Sequence, residues 1–236
     1  MYRFFVILFL TVWCTTASAE ATKAFDGHTP SIAEIKQLQQ QAKAEGKKLL
    51  LILGADWCHD SQALIKQFES PAFAKQLEQT YVVQRYDVGY LTRGEAITQH
   101  FGEPTYYGTP TVMIIDPTTD QVLNKADWQH WTNAASHSAT EFEDYFLGEN
   151  YRPLAPTAAN RSFETQQAKR VQAGYAVAGP LLEAYKESAA ERPPAEFMQV
   201  WSELARFRNQ VFNDVVDLHA ATDQFPSYPP LSWEKE

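Results

Sequence analysis

Hydrophobic positions along the first two thirds of the chain alternate between strand-like and helix-like patterns. A run of five apolar residues at 49–53 ends at Gly54 and is short enough for a buried strand. Residues 31–45 and 61–79 carry apolar side chains at helical spacing, and Ser70-Pro71 predicts a break in the second helix. Later elements are predicted as a strand at 81–88, a helix at 93–101, an antiparallel hairpin at 110–116 and 121–126, and a closing helix at 139–147. This order predicts an α/β domain, a small mixed sheet with helices on both faces.

Beyond residue 150 the pattern becomes helical. Pro153 and Pro156 indicate a linker at 151–160, followed by a helical extension at 161–221 and an extended tail at 222–236. Gly179-Pro180 predicts a break in the first helix of the extension. The second helix carries one apolar stripe, made of Phe197, Val200, Trp201, Leu204, Phe207, Val211, Val215 and Leu218. We expect a helical hairpin folded on itself or on the α/β domain, or else a homodimer or client-binding surface.

The N-terminus has the three parts of a signal peptide. Arg3 precedes an apolar core at 4–12, and Ala17-Ser18-Ala19 provides a cleavage site, which together predict a signal peptide at 1–19. The apolar core is too short to span a bilayer, although a retained membrane anchor is the alternative. No later stretch approaches the length of a transmembrane helix. The mature chain is therefore predicted to be exported, to the periplasm if the source is a Gram-negative bacterium.

Charge and cysteine content narrow the possible chemistry. A net charge of −9 without a basic patch argues against a nucleic-acid or anionic-membrane partner. Cleavage would remove Cys14 and leave Cys58, whose thiol is then free, paired with another molecule, or inertly buried. Because Cys58 lies where a strand gives way to a helix, unpaired N–H groups and the helix dipole favour an anionic, reactive sulfur.

Two short motifs resemble those of the thioredoxin family. W-C-H-D-S at 57–61 resembles the W-C-x-x-C active site, with Ser61 where the second cysteine belongs. Y-G-T-P-T-V at 107–112 resembles the segment whose cis proline lies against the active-site cysteine. F-E-S-P-A-F at 68–73 is similar to exported bacterial members of the family, and the whole resemblance covers about 31–150.

The resemblance implies a thioredoxin-like fold for residues 20–150, with Cys58 and Ser61 as catalytic residues. It implies substrate contacts from Trp57, His59, Asp60, Tyr107, Thr109 and Pro110. Two departures bear on activity. Ser61 cannot resolve a mixed disulfide, and Ile52 stands where thioredoxins have a buried acid.

Two functions stay open from the sequence. The first is an exported monothiol protein that forms mixed disulfides with client proteins or glutathione and needs an external thiol for release. The second is a non-catalytic binding or assembly module that uses the aromatic groove, defined as the surface beside Trp57, Tyr106, Tyr107 and Pro110. A solvent-inaccessible Cys58 would favour the second. We predict no cofactor and no metal site, because the six histidines are scattered without a pair at ligand spacing.

Overall fold

The computed structural model of the protein describes residues 23–188, 190–218 and 224–234. The predicted signal peptide, including Cys14, lies outside these ranges. Within them, no helix has the length and apolar character needed to cross a membrane.

A three-stranded mixed sheet forms the centre of the α/β domain. Its strands are β1 (Lys48–Gly54), β2 (Tyr81–Asp87) and β3 (Thr111–Ile115), in the order β2-β1-β3. Strand β1 is parallel to β2 and antiparallel to β3. Leu49, Leu51 and Leu53 enter one apolar cluster, whereas Leu50 and Ile52 enter another on the opposite face. Because both faces of β1 are covered, its sequence is a continuous apolar run without polar alternation.

Six helices surround this sheet: α1 (Ile32–Ala44), α2 (His59–Phe68), α3 (Pro71–Thr80), α4 (Glu95–His100), α5 (Trp128–Trp131) and α6 (Ala139–Phe142). Ser31 caps α1 in a reciprocal capping box with Glu34, which explains the sharp start of this helix. The predicted break at Ser70-Pro71 is confirmed, because α3 begins with its proline at the first helical position. Helix α6 continues as a π-helical turn, Glu143–Leu147.

The predicted strand at 121–126 is wrong. Only one bridge, between Ile115 and Val122, joins this segment to β3. The side chain of Asn124 then replaces backbone pairing, because its Oδ1 accepts from the Ile114 N–H at 2.9 Å and its Nδ2 donates to the Val112 carbonyl at 2.7 Å. A side-chain amide thus provides the hydrogen bonds that a fourth strand would have made.

The extension consists of two long helices, α7 (Ala158–Glu187) and α8 (Ala195–Asp217). The predicted break at 179–180 is wrong, since α7 runs through Pro180. Gly179 lies so close to the Tyr90 carbonyl that a Cβ there would collide with it, and this packing supports the helix beside its proline. Helix α7 also begins inside the predicted linker, with Thr157 as its N-cap.

The apolar stripe of α8 is covered within the chain, as one of the two interpretations predicted. Five of its residues are buried and three are partly buried against the core: Phe197, Leu204, Phe207, Val211 and Val215, then Val200, Trp201 and Leu218. The described part of the tail also packs on the helices, because the Trp233 ring lies against Gly174 and its Nε1 donates to the Arg170 carbonyl. This stripe is therefore unavailable for the predicted homodimer.

Candidate functional site

Cys58 lies at the junction predicted from the sequence. It is the N-cap residue of α2, directly after the loop that follows β1. Its Sγ donates to the Thr109 carbonyl at 3.3 Å, and the Thr109 Oγ1 donates back to the sulfur at 3.4 Å. The Thr109-Pro110 peptide is cis, as predicted. The two motifs therefore meet at the sulfur, which faces the N-terminus of α2, where an anion is favoured.

Ser61 lies one turn further along α2 and is fully buried. Its Oγ accepts a hydrogen bond from the Ala55 N–H at 3.4 Å, whereas the sulfur of Cys58 has its hydrogen-bond partners on Thr109. Ile52 is buried in the apolar cluster beneath α2. The two positions where the chain departs from the thioredoxin pattern are thus occupied by a structural hydroxyl and an aliphatic side chain.

His59 and Asp60 differ in exposure and contacts. His59 is exposed, so it remains free to meet a substrate. Asp60 is half-buried, and its Oδ1 accepts from the Ala135 N–H at 3.0 Å. Asp60 therefore holds the 134–136 turn against the first turn of α2, a long-range contact that the motif did not reveal.

Asp56 binds the segment before α1 and holds it next to the site. Its Oδ1 accepts from the backbone N–H groups of Ala24 and Phe25 at 2.7 and 3.1 Å. The Phe25 ring is buried and, with the Ser61 Oγ, occupies the space that any side chain at Gly54 would need. Three backbone amides and one aromatic ring therefore fix residues 24–26 beside α2.

Trp57 lies at the contact between the α/β domain and the extension. Its Nε1 donates to the Gly89 carbonyl at 2.7 Å. The indole stacks on Tyr90 with ring centroids 6.5 Å apart and meets Trp201 of α8 edge-on at 6.2 Å. One face of the predicted substrate-binding indole is therefore already packed against the chain itself.

The extension also covers both tyrosines of the aromatic groove. Tyr106 is buried and stacks on Tyr175 of α7 at 5.0 Å. Tyr107 is buried as well, and its hydroxyl donates to the Glu164 Oε1 at 2.9 Å. Tyr107 is therefore not exposed for the predicted substrate contact, because its side chain is buried against Glu164 of α7 and Phe212 of α8.

A buried ion pair beneath Tyr107 joins α7 to the α/β domain. The Lys125 ammonium lies 2.6 Å from a Glu103 oxygen and 2.9 Å from a Glu164 oxygen. Burial alone would lower the pKa of Lys125, but these two carboxylates outweigh it and leave the pKa raised, so the lysine stays charged. The sequence did not indicate this network, because Lys125 lies in the segment that was predicted as a strand.

Histidine spacing along the sequence does not show which side chains meet in the fold. The fold brings His130, His137 and Glu141 together, with one ligand atom of each within 4.8 Å of the others. This cluster is separate from Cys58, whose sulfur contacts Thr109.

Part of the chain is similar to known proteins. Residues 32–117 match the family described as thioredoxin-like. A crystal structure of a disulphide isomerase from Xylella fastidiosa Temecula1 is similar at 26% identity, covering 53% of this chain and 95% of that chain, with a TM-score of 0.48. No curated protein matches the chain. The chain therefore contains a thioredoxin-like domain, a mixed three-stranded sheet flanked by helices, to which the helices α7 and α8 are joined.

Proposed function

We propose that the protein carries out thiol–disulfide exchange through Cys58 as a monothiol thioredoxin-like protein. The observation that supports this most directly is the position of the Cys58 sulfur, at the N-terminus of α2 and in hydrogen-bond contact with Thr109. The Thr109 hydroxyl can still donate to the sulfur after the thiol proton is lost. The thiolate is the nucleophile in disulfide exchange, and this hydroxyl is a donor that can stay bonded to it.

The reaction follows from the chemistry of a single thiol. The Cys58 thiolate attacks one sulfur of a substrate disulfide, a new S–S bond forms, and the other substrate sulfur leaves as a thiolate. A second thiol, from glutathione or from the client, then attacks the mixed disulfide and returns Cys58 to its reduced form. Ser61 cannot take this second step, since its buried hydroxyl is bonded to the Ala55 N–H and does not displace sulfur.

The low exposure of the Cys58 sulfur limits the size and shape of the substrates that can reach it. Cys58 is 8% exposed, and α7 and α8 cover Tyr106 and Tyr107. The exposed side chain of His59 marks the open side of the site. We therefore expect a small disulfide such as oxidised glutathione, or a flexible client segment, in preference to a folded surface. We also propose that this reaction takes place outside the cytoplasm. The signal-peptide pattern at 1–19 supports this location.

The test is formation of a mixed disulfide by the folded protein. The reduced chain is incubated with oxidised glutathione, and the intact mass is measured before and after addition of dithiothreitol. We expect one reversible glutathione adduct, which Cys58→Ala abolishes and Ser61→Ala retains. If Cys58 forms no adduct and reacts with an alkylating reagent only after unfolding, the exchange function is wrong.

The low exposure of Cys58 favours the alternative, a non-catalytic binding or assembly module. That alternative assigned the partner to the aromatic groove, yet Tyr106 and Tyr107 lie beneath the extension. A binding module would therefore need another surface or displacement of α7 and α8. A Cys58 that stays unreactive in the folded protein would support this alternative.

A further inference from the structure

Two histidines and a glutamate meet on the segment that joins α5 to α6. His130 belongs to α5, His137 follows a short 3-10 turn, Ala134–Ser136, and Glu141 lies in α6. The two imidazole rings stack with centroids 4.0 Å apart and planes inclined by 25°. Their ring nitrogens and the Glu141 carboxylate offer one donor atom each within 4.8 Å. The fold thus brings these three residues, which do not form a single local sequence motif, into one compact cluster.

The carboxylate of Glu141 is held in a fixed orientation. Its Oε2 accepts from the Ser138 N–H at 2.7 Å and from the Ser138 hydroxyl at 2.8 Å, in the capping box that begins α6. Its Oε1 is thereby directed at the Nδ1 of His137, 3.1 Å away. Both hydrogen bonds from Ser138 thus go to one carboxylate oxygen, which leaves the other facing the His137 ring.

The hydrogen bonds of His137 determine which nitrogen can bind a cation. Its Nε2 lies 3.0 Å from the His130 carbonyl oxygen, which can only accept, so the Nε2 carries the proton. In the neutral ring, the Nδ1 then presents its lone pair to the Glu141 carboxylate, and two lone pairs repel each other. A proton or a metal ion between them removes this repulsion. Metal-binding histidines commonly donate their other ring N–H to a backbone carbonyl in this way.

His130 completes the set of donors. Its ring packs edge-on against Trp131 at 4.8 Å and stacks on Tyr145 at 6.1 Å, which restricts its rotation. The His130 ring is thereby held beside His137, so its imidazole adds the third donor of the cluster. The nearby Asp127 is already paired with Arg152 at 2.9 Å, which leaves Glu141 as the carboxylate of the cluster.

We propose that His130, His137 and Glu141 bind a divalent transition-metal ion of the Zn²⁺ class, with water at the remaining coordination position. Two imidazole nitrogens and one glutamate oxygen are a donor set that Zn²⁺ uses in proteins. Tetrahedral coordination at about 2.0–2.1 Å needs donors roughly 3.3 Å apart, so modest side-chain rotations would close the site. Cu²⁺ and Ni²⁺ also suit imidazole ligands.

The test uses the full chain in a Cys58→Ala background, because a free thiol also binds Zn²⁺. Metal-free protein is titrated with Zn²⁺ by calorimetry and with Co²⁺ by visible absorption near neutral pH. We expect one metal ion per chain, and a loss of affinity of about tenfold or more in His137→Gln. Glu141→Gln keeps a side chain that can complete the capping box but removes the charge, and should lose affinity similarly.

His100→Gln is the matched control, because His100 lies on α4 outside the cluster and should bind metal like the parent. Thermal unfolding of each variant shows whether it is folded. If His137→Gln is unfolded, the metal affinity of Glu141→Gln alone tests the proposal. Absence of metal binding by the parent would overturn the proposal. So would binding that the cluster variants reduce no more than His100→Gln does.

Discussion

The side chain of Ser61 lies one helical turn from Cys58 and is directed into the protein. Its hydroxyl bonds the Ala55 N–H, so it supports the loop between β1 and α2. Neighbouring Ile52 fills the core with an aliphatic group. A dithiol and a monothiol site differ here by one atom, the side-chain oxygen in place of a sulfur at position 61. The contact between Cys58 and Thr109 is present all the same.

Replacing Ser61 by cysteine should restore a dithiol couple. Residues three apart lie on the same face of a helix, within reach of a disulfide. Ser61→Cys should therefore lose both free thiols in oxidising buffer and reduce insulin with dithiothreitol faster than the parent. The gain should be modest, because Ile52 provides no acid for proton transfer. Ser61→Ala is the control and should show no gain, whereas two persistent free thiols in Ser61→Cys would contradict the prediction.

Residues in local motifs were predictable from the sequence, but their distant partners were not. Trp57, Cys58 and Pro110 were identified because each lies in a short pattern with a known geometry. Asp60 and Tyr107 were identified by the same patterns, yet their hydrogen bonds reach partners 75 and 57 residues away. No sequence period encodes such contacts, because they depend on how whole elements pack.

At the scale of elements, the two wrong predictions have separate physical causes. The hairpin pattern predicted a strand at 121–126, but Asn124 turns its amide onto β3 and satisfies the backbone there. Pro180 indicated a break, but α7 continues because it is packed against the Tyr90 backbone. Local propensity is a weak prior, and tertiary contacts overcame it in both segments.

The buried ion pair of Lys125 should contribute strongly to the attachment of α7. Lys125→Met leaves the buried Glu164 without its cation, which typically costs about 3–5 kcal/mol. Urea unfolding should show this loss. Lys48→Met is the matched control, since the partly exposed Lys48–Glu149 pair should contribute only about 0–1 kcal/mol.

A rescue variant separates lost charge pairing from lost packing. Adding Glu164→Gln to Lys125→Met removes the uncompensated charge while keeping an acceptor for the Tyr107 hydroxyl. The double variant should regain part of the lost stability. If Lys125→Met and Lys48→Met are equally stable, the network does not have the role assigned to it.

At the scale of the whole molecule, the extension and the thioredoxin-like domain share one core. Tyr106 and Tyr107 from the domain pack with Tyr175 and Phe212 from the extension. The two helices of the extension therefore do not form an independent body. Any change that loosens this interface should therefore alter access to Cys58, which lies next to Trp57.

Substitution of Gly179 tests whether the packing of the extension controls access to Cys58. A side chain there would collide with the Tyr90 carbonyl, and Tyr90 stacks on Trp57. Overpacking typically costs about 1–3 kcal/mol, and each 1.4 kcal/mol corresponds to about tenfold in an opening equilibrium. Gly179→Val should therefore speed alkylation of Cys58 by about tenfold. Ala176→Val, on the exposed face of the same helix, should leave the rate unchanged.

Equal alkylation rates in the two valine variants would show that α7 does not control access to the thiol. Circular dichroism must first show that both proteins keep their helices. A rate increase confined to Gly179→Val would instead indicate that clients reach Cys58 when the extension moves.

The segment after β3 also determines how other chains can approach the sheet. Four outward backbone groups along this edge are occupied: the Val112 carbonyl and the Ile114 N–H by Asn124, the Ile114 carbonyl by the Leu123 N–H, and, just beyond β3, the Asp116 N–H by the Gln121 carbonyl. An open edge of this kind is where unfolded segments commonly add as a further strand and where aggregation begins. Asn124 and the backbone at 121–123 therefore cover this edge, and an extended segment would have to displace them to add to the sheet at β3.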